Sequence, residues 1–308
     1  MITSRDPGSP LRAARYIVDG QPFDAPALTD GLHIVATPIG NLRDITLRAL
    51  DVLAAADLIA CEDTRITRRL LDHYRITTPL TPYHEHNAAA VRPKLLARLA
   101  EGAALALVSD AGTPLVSDPG FKLVRAAREA GHPVTSLPGP SAALAALAIC
   151  GLPTDRFFFE GFLPARGMQR RARITELTHL PATLVLFESG GRVGACLADL
   201  AEGLGPRAAA ICRELTKLHE EVRRGDLKEL AAHYAGDAET RGEFVIVVAP
   251  PEPLADAGDL DTLLREALGR LSVKEAVAEI ASVTGRPRRE VYQRALALEA
   301  KHKAPHDA

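Results

Sequence analysis

From Gly31 onward the chain alternates short apolar runs with stretches of helical spacing. Three of those apolar runs end in loops built from Gly, Pro, Ser, Thr and Asp. Residues 32–36 run into Thr37-Pro38-Ile39-Gly40-Asn41, and residues 104–108 into Ser109-Asp110-Ala111-Gly112-Thr113-Pro114. Residues 134–137 run into Pro138-Gly139-Pro140-Ser141-Ala142. An apolar run of four or five residues closed by turn formers reads as a strand buried on both faces. Alternation of such strands with helices predicts a mainly parallel sheet covered on both sides. Helical spacing falls at 46–56, 64–72, 88–100 and 118–130, with a further strand at 58–61. Asp118 with Pro119 supplies an N-cap and a proline at the first helical position. Pro140 opens an apolar helix to Cys150.

Gly151-Leu152-Pro153 reads as a hinge. A second set of strands follows at 157–162, 183–187, 208–212, near 220–223 and at 243–248, with a helix at 193–201. Beyond Pro250-Pro251-Glu252-Pro253 the pattern is helical only. Ser272 and Glu275 form a capping box there, and Thr284-Gly285-Arg286-Pro287 separates two helices. The fold class is α/β. Residues 1–30 are expected to be a flexible extension, 31–150 and 151–250 two α/β domains, and 255–308 a helical tail of helix-turn-helix type.

Composition narrows the function. With 308 residues and 47% hydrophobic residues, the chain can bury a sizeable core without staples. A net charge of -2 excludes a polybasic coat but not a local patch. Four cysteines without metal-ligand spacing imply free thiols in a reducing, cytoplasmic setting. No apolar run is long enough to span a bilayer. Aromatics are 4% and tryptophan is absent, which argues against broad base-stacking platforms. The phosphate-loop, Gly-x-Gly-x-x-Gly and Gly-x-Ser-x-Gly motifs are all missing. In an open parallel sheet, ligands bind beyond the carboxyl ends of the strands. Three glycine-containing loops there predict a pocket approached closely by backbone; the alternative is three ordinary tight turns.

Taken together, the words TPIGNLRDIT, EDTRITRRLL, HEHN, VSDAGTPLVSDPG, LPGPSAALAAL, GLPTDRFFFEGFLP, RELTKLHEEVRRG and GEFVIVV resemble the ribosomal RNA small-subunit methyltransferase I family. That family lies within the tetrapyrrole methylase superfamily. The resemblance covers about residues 32–250. It departs at Leu186-Phe187-Glu188-Ser189-Gly190-Gly191-Arg192, where the family carries a Phe-Tyr-Glu-Ser-Pro-His-Arg type of run. It implies S-adenosylmethionine bound between two α/β domains, a homodimer, and 2'-O-methylation of a cytidine, conventionally 1402, in 16S ribosomal RNA of the 30S subunit. By the same resemblance the donor pocket maps onto Pro38, Gly40, Asp110, Gly112, Thr113, Ser117, Pro138, Gly139 and Ser141. Alternatives are a tetrapyrrole or protein methyltransferase of the same superfamily, or a non-catalytic ribosome-assembly factor.

Ribose methylation needs a base for the hydroxyl and cations for the RNA. Glu62, Asp63 and Arg65 follow a strand at the same sheet edge; a helix N-cap and a solvated arginine are the alternative. His84 and Asn87 lie in His84-Glu85-His86-Asn87, which is a substrate contact or a capped loop. Two histidines without a third ligand do not make a metal site, and none is expected. Arg166, Arg170, Arg171, Lys217, Arg288 and Arg289 are the candidate RNA contacts, or solvated helix faces.

Overall fold

The computed structural model describes residues 14–115, 120–235, 240–251, 257–284 and 286–303. By its internal contacts the chain divides into two units, Met1–Ala148 with Glu214–Glu221, and Ile149–Arg213 with Val222–Ala308.

The first unit begins with a hairpin, β1 (Arg15–Val18) paired antiparallel with β2 (Gln21–Asp24). This corrects the expectation of a flexible extension for that part of residues 1–30. Tyr16 is buried among residues of the following core, and the Ile17 amide donates to the Tyr74 carbonyl at 2.9 Å. Burial, helped by Asp51, pushes the Tyr16 hydroxyl up to about 12. A four-residue strand with one inward side chain carries too short a period to be recognised in sequence.

Then come β3 (Gly31–Val35), α1 (Leu47–Ala55), β4 (Leu58–Cys61), α2 (Thr64–His73), β5 (Leu80–Pro82), α3 (Ala88–Ala100), β6 (Ala104–Val108), α4 (Phe121–Glu129), β7 (Val134–Leu137) and α5 (Ala142–Cys150). The sheet order is β5-β4-β6-β3-β7, all parallel. Val35, Ile59, Cys61, Ala106 and Val108 pack with Leu50, Leu53, Leu70 and Leu71 of α1 and α2 on one face. Leu32, Ile34, Ala60, Leu105 and Leu107 pack with Leu95, Leu99, Leu123 and Ala127 of α3 and α4 on the other. Period-2 alternation along each strand divides the two sets. Crossovers from β3 to β4 to β5 thus run on one face, and those from β5 to β6 to β7 run back on the other, as right-handed connections require. The switch of direction falls between β3 and β6. Asp118 and Pro119, expected to cap α4, lie outside the described residues.

The second unit holds β8 (Phe157–Phe162), α6 (Gly167–Leu177), β9 (Thr183–Ser189), α7 (Val193–Leu204), β10 (Ala208–Arg213), β11 (Glu221–Asp226), α8 (Leu227–Ala235) and β12 (Glu243–Val248). The order is β11-β10-β12-β9-β8; β12 is antiparallel to β9 and β10, whereas β8 and β9 are parallel. Leu184, Leu186, Ile211, Phe244 and Ile246 bury against Ile174, Leu197, Leu200 and Leu230 of the helices. Each such side chain, fully buried, contributes about 1.5–3 kcal/mol relative to exposure.

At Gly190 a Cβ would stand 1.6 Å from the Thr240 carbonyl oxygen, so no side chain fits there. That gives the Gly190-Gly191 departure a steric cause at its first position; Gly191 has open space.

The tail, α9 (Ala257–Leu268), α10 (Val273–Thr284) and α11 (Arg288–Lys303), has its own core of Leu260, Leu264, Ala276, Ile280, Val291 and Ala295. Its capping box forms: the Ser272 amide and hydroxyl both donate to Glu275 Oε2, at 3.1 and 2.6 Å.

Candidate functional site

The loops at the carboxyl ends of the first sheet are interlocked. Thr37 and Gly112 exchange backbone hydrogen bonds at 2.9 and 3.0 Å, joining the loops after β3 and β6 where the chain reverses direction. The Thr37 hydroxyl donates to the Ser109 carbonyl at 3.2 Å. The Asp63 amide donates to Asp110 Oδ1 at 3.0 Å, tying in the loop after β4. The Thr113 hydroxyl donates to the Pro140 carbonyl at 3.3 Å, tying in the loop after β7. Gly139 lies so near β3 that a Cβ would stand 2.9 Å from that of Ala36. Gly112 has φ +77°, a left-handed backbone that glycine adopts without strain. Pro38, Asp110, Thr113 and Ser141 are half-buried around these contacts, and Gly40 and Pro138 are exposed. Ser117 lies outside the described residues.

A segment from the second half of the sequence completes this edge. At Gly40 a Cβ would meet Lys217 Cγ at 2.4 Å, Thr216 Oγ1 at 2.9 Å and the Leu215 carbonyl at 3.1 Å. Glu214 and Thr216 take positive φ values of 51° and 65°. A left-handed β-branched residue is rare, and such strain costs about 1–3 kcal/mol per residue. Lys217 Nζ is held by Glu214 at 2.8 Å, and the Thr216 amide donates to Glu220 Oε2 at 2.6 Å. Lys217 was expected as an RNA contact on the second domain; it belongs instead with the loops of the first unit. The RELTK word pointed to this segment, but no periodicity predicts which unit it joins.

The acidic candidates separate by environment. Burial raises Glu62 above the usual carboxylate range, and the neighbouring Asp110 charge adds to that. Burial also raises Asp110, against the pull of the Asp63 amide. Asp63 goes the other way: hydrogen bonds from the Arg65 side chain and backbone bring it down to about 2. It caps α2 by accepting from the Arg65 amide at 2.8 Å, and it pairs with the Arg65 guanidinium at 2.6 Å. Asp63, a candidate base by sequence, serves here as a helix cap, and a carboxylate so stabilised holds a proton poorly. Arg65, with an 85% exposed side chain, still presents charge to solvent.

Asn87 is likewise engaged locally. Its Oδ1 accepts from the His84 amide and its Nδ2 donates to the Pro82 carbonyl, both at 3.0 Å, so both ends serve its own turn. That turn presents His84, whose Nδ1 is buried with no hydrogen-bond partner. The Thr216 hydroxyl is buried and unpartnered as well. Buried polar atoms of this kind usually find a partner, so the edge as it stands is short of donors and acceptors. Among the described residues no three His, Cys, Asp or Glu gather as a metal site.

Of the expected RNA contacts in the second unit, Arg170 is buried at 7% exposure and pairs with buried Asp199 at 2.6 Å. Its guanidinium is taken up by Asp199 rather than turned to solvent, where a phosphate contact would need it. An acid near in space but distant in sequence is invisible to a count of local charge. Arg171 shares Asp199 at 3.3 Å and stays about half exposed; Arg166, Arg288 and Arg289 are exposed. No described helix is long and apolar enough to cross a membrane.

Comparison with known proteins agrees with this architecture. The family described as Tetrapyrrole (Corrin/Porphyrin) Methylases matches residues 31–231, and the RsmI C-terminal HTH domain matches 255–299. Ribosomal RNA small subunit methyltransferase I of Mesorhizobium japonicum is 52% identical over 273 residues, covering 88% of this chain and 93% of that protein. The Xylella fastidiosa (strain Temecula1) protein of that description is 49% identical over 268 residues, covering 85% and 97%. Among solved structures, a diphthine synthase gives a TM-score of 0.56 at 17% identity, over 72% of this chain and 90% of that one. A cobalt precorrin-4 methyltransferase gives 0.54 at 18%, over 71% and 94%; both show a shared fold. With a family model across most of the sequence and relatives at about half identity, the chain belongs to the tetrapyrrole methylase family and, within it, to the ribosomal RNA small subunit methyltransferase I family.

Proposed function

We propose that the protein is an S-adenosylmethionine-dependent methyltransferase that methylates the 2'-hydroxyl of a cytidine in 16S ribosomal RNA. The observation that carries this is the interlocked strand-end edge of the first unit, with Glu62 and Asp110 both raised in pKa beside a partnerless His84 nitrogen. The donor fits such an edge. It is a sulfonium cation with hydroxyl and amine donors, and two carboxylates that repel each other are relieved by a positive ligand. A fold neighbour at 19% identity and a TM-score of 0.50, the uroporphyrin-III C-methyl transferase from Thermus thermophilus, is complexed with S-adenyl homocysteine in its solved structure. Asp110, with the backbone of Pro38, Gly40, Gly112, Thr113, Pro138, Gly139 and Ser141, would hold the donor, which supplies the methyl group when bound.

The chain's own groups do the rest. The ribose hydroxyl must lose a proton, and Glu62 or His84 takes it; a base poised above the ordinary carboxylate range is the better acceptor at neutral pH. Arg65 and Lys217 meet backbone phosphate, and Arg166 and Arg171 add charge from the second unit. The acceptor is the 16S RNA within the 30S subunit, the enzyme works in the cytoplasm, and it acts as a homodimer. Incubation with labelled S-adenosylmethionine and unmodified 30S subunits, followed by nucleotide mapping, tests this. Label on a single cytidine ribose is expected. Label on a base, on protein or on a porphyrinoid instead would overturn it.

A further inference from the structure

Helix α11 carries a surface that the tail's core does not use. Val291, Ala295 and Leu298 face the core, while Tyr292 is 47% and Leu296 43% exposed. Residues three and four apart share a helix face, so Arg288, Arg289, Tyr292 and Leu296 form one stripe. The neighbouring cations are spoken for: Arg286 pairs with Glu290 at 2.7 Å, Arg294 with Asp261 at 2.5 Å, and Arg270 with Glu279. Among the described residues no acid pairs with Arg288 or Arg289. Both lie in the first turn of α11, where the helix dipole disfavours cations. They contribute nothing to the helix there, but they leave two free positive charges beside an exposed aromatic ring.

We infer that this stripe binds unpaired RNA, with a base stacked on the Tyr292 ring and flanking phosphates on Arg288 and Arg289. The inference rests on the methyltransferase reading above and names where the tail holds that RNA. Charge complementarity selects this occupant. A stable protein partner needs about 800 Å² per side, and two exposed apolar side chains between arginines do not supply it. A ring stacks on a base only where the base face is open, so single strands are preferred over duplex.

The test uses the full chain, a labelled mixed-sequence oligoribonucleotide, and a duplex of equal length. The single strand is expected to bind more tightly. Tyr292→Ala should weaken it about tenfold, and Tyr292→Phe should stay within about twofold of wild type. Arg288→Ala with Arg289→Ala should lower the log-log salt slope by about 1.4, at roughly 0.7 per phosphate. Circular dichroism and thermal unfolding, measured on each variant, confirm that the tail's helices are intact. Equal binding by wild type and Tyr292→Ala would overturn the stacking role, as would equal losses in the Phe and Ala variants. A change of oligomeric state in Tyr292→Ala with unchanged RNA binding would make the stripe a protein contact and also overturn it. The RNA arm needs no turnover, so failure of methyl transfer by the wild type would count against the functional reading and not against the stripe.

Discussion

Replacing Arg170 separates structural from RNA-binding arginines on α6. Its Nε donates to Asp199 Oδ2 at 2.6 Å, and its terminal nitrogen reaches the Ala195 carbonyl at 3.4 Å. Arg170 and Asp199 are 7% and 8% exposed, so Arg170→Ala leaves a buried carboxylate whose remaining cation is Arg171 at 3.3 Å. Removing one partner of a buried pair costs about 3–5 kcal/mol. Partial rescue by Arg171 places the expectation near the lower figure. For a folding unit of this size each kcal/mol shifts the thermal midpoint by about 2–4 °C, so a fall of roughly 6–12 °C is expected by calorimetry. A matched apolar pair, Arg170→Met with Asp199→Leu, should recover most of it, because no charge is then stranded. Below the transition, the salt dependence of RNA binding should equal that of wild type. A variant that melts with wild type and binds RNA with a flatter salt slope would refute the reasoning and return Arg170 to the RNA surface.

Gly40→Ala puts a methyl 2.4 Å from Lys217 Cγ and 3.1 Å from the Leu215 carbonyl; the side chain can yield but the backbone must shift. A cost of about 1–3 kcal/mol is expected, read by urea denaturation, with loss of methylation exceeding loss of stability. Glu62→Gln should act oppositely on the two readouts. A carboxyl raised in the folded state keeps its proton longer than in the unfolded chain. Its contribution therefore falls as pH rises from the ordinary carboxylate value to the raised one. Removing it should hold or raise the thermal midpoint at neutral pH while single-turnover methylation drops about 10²–10⁴-fold; an unchanged rate would exclude Glu62 as the base. Methylation should also decline with salt along a slope of about -0.7 to -0.9 per phosphate contacted, and a flat profile would contradict a phosphate-based footprint.

The parallel sheet of the first unit was legible because its strands are short, apolar and closed by turn residues. β4, β6 and β7 fall where the sequence puts them. Elements with weaker periodicity escaped. β5 is three residues long, and α6 presents a polar sequence between strands. The antiparallel insertion of β12 between β9 and β10 depends on long-range pairing that no local pattern records. At the candidate site the loops were visible as words, yet side-chain roles were not. Whether Asp63 serves as base or cap turns on the Arg65 guanidinium beside it, and whether Asn87 faces outward turns on two hydrogen bonds within its own turn. Such outcomes are decided by geometry at the scale of a single bond.

The packing of Leu215, Thr216 and Lys217 onto Gly40 bears on how the chain is made. Domains form as units during synthesis, at about 5–20 residues per second. The first sheet has all its strands once residue 137 has left the ribosome. The site's edge has to wait for Glu214–Glu221, which arrive after much of the second sheet. For a span on the order of ten seconds, the nascent first unit exposes the place on Gly40 that the later segment will fill. The strained Glu214 and Thr216 backbone is then set by a partner already folded. A half-made chain can thus own a finished sheet without a finished edge, and activity is withheld until the second half is in place.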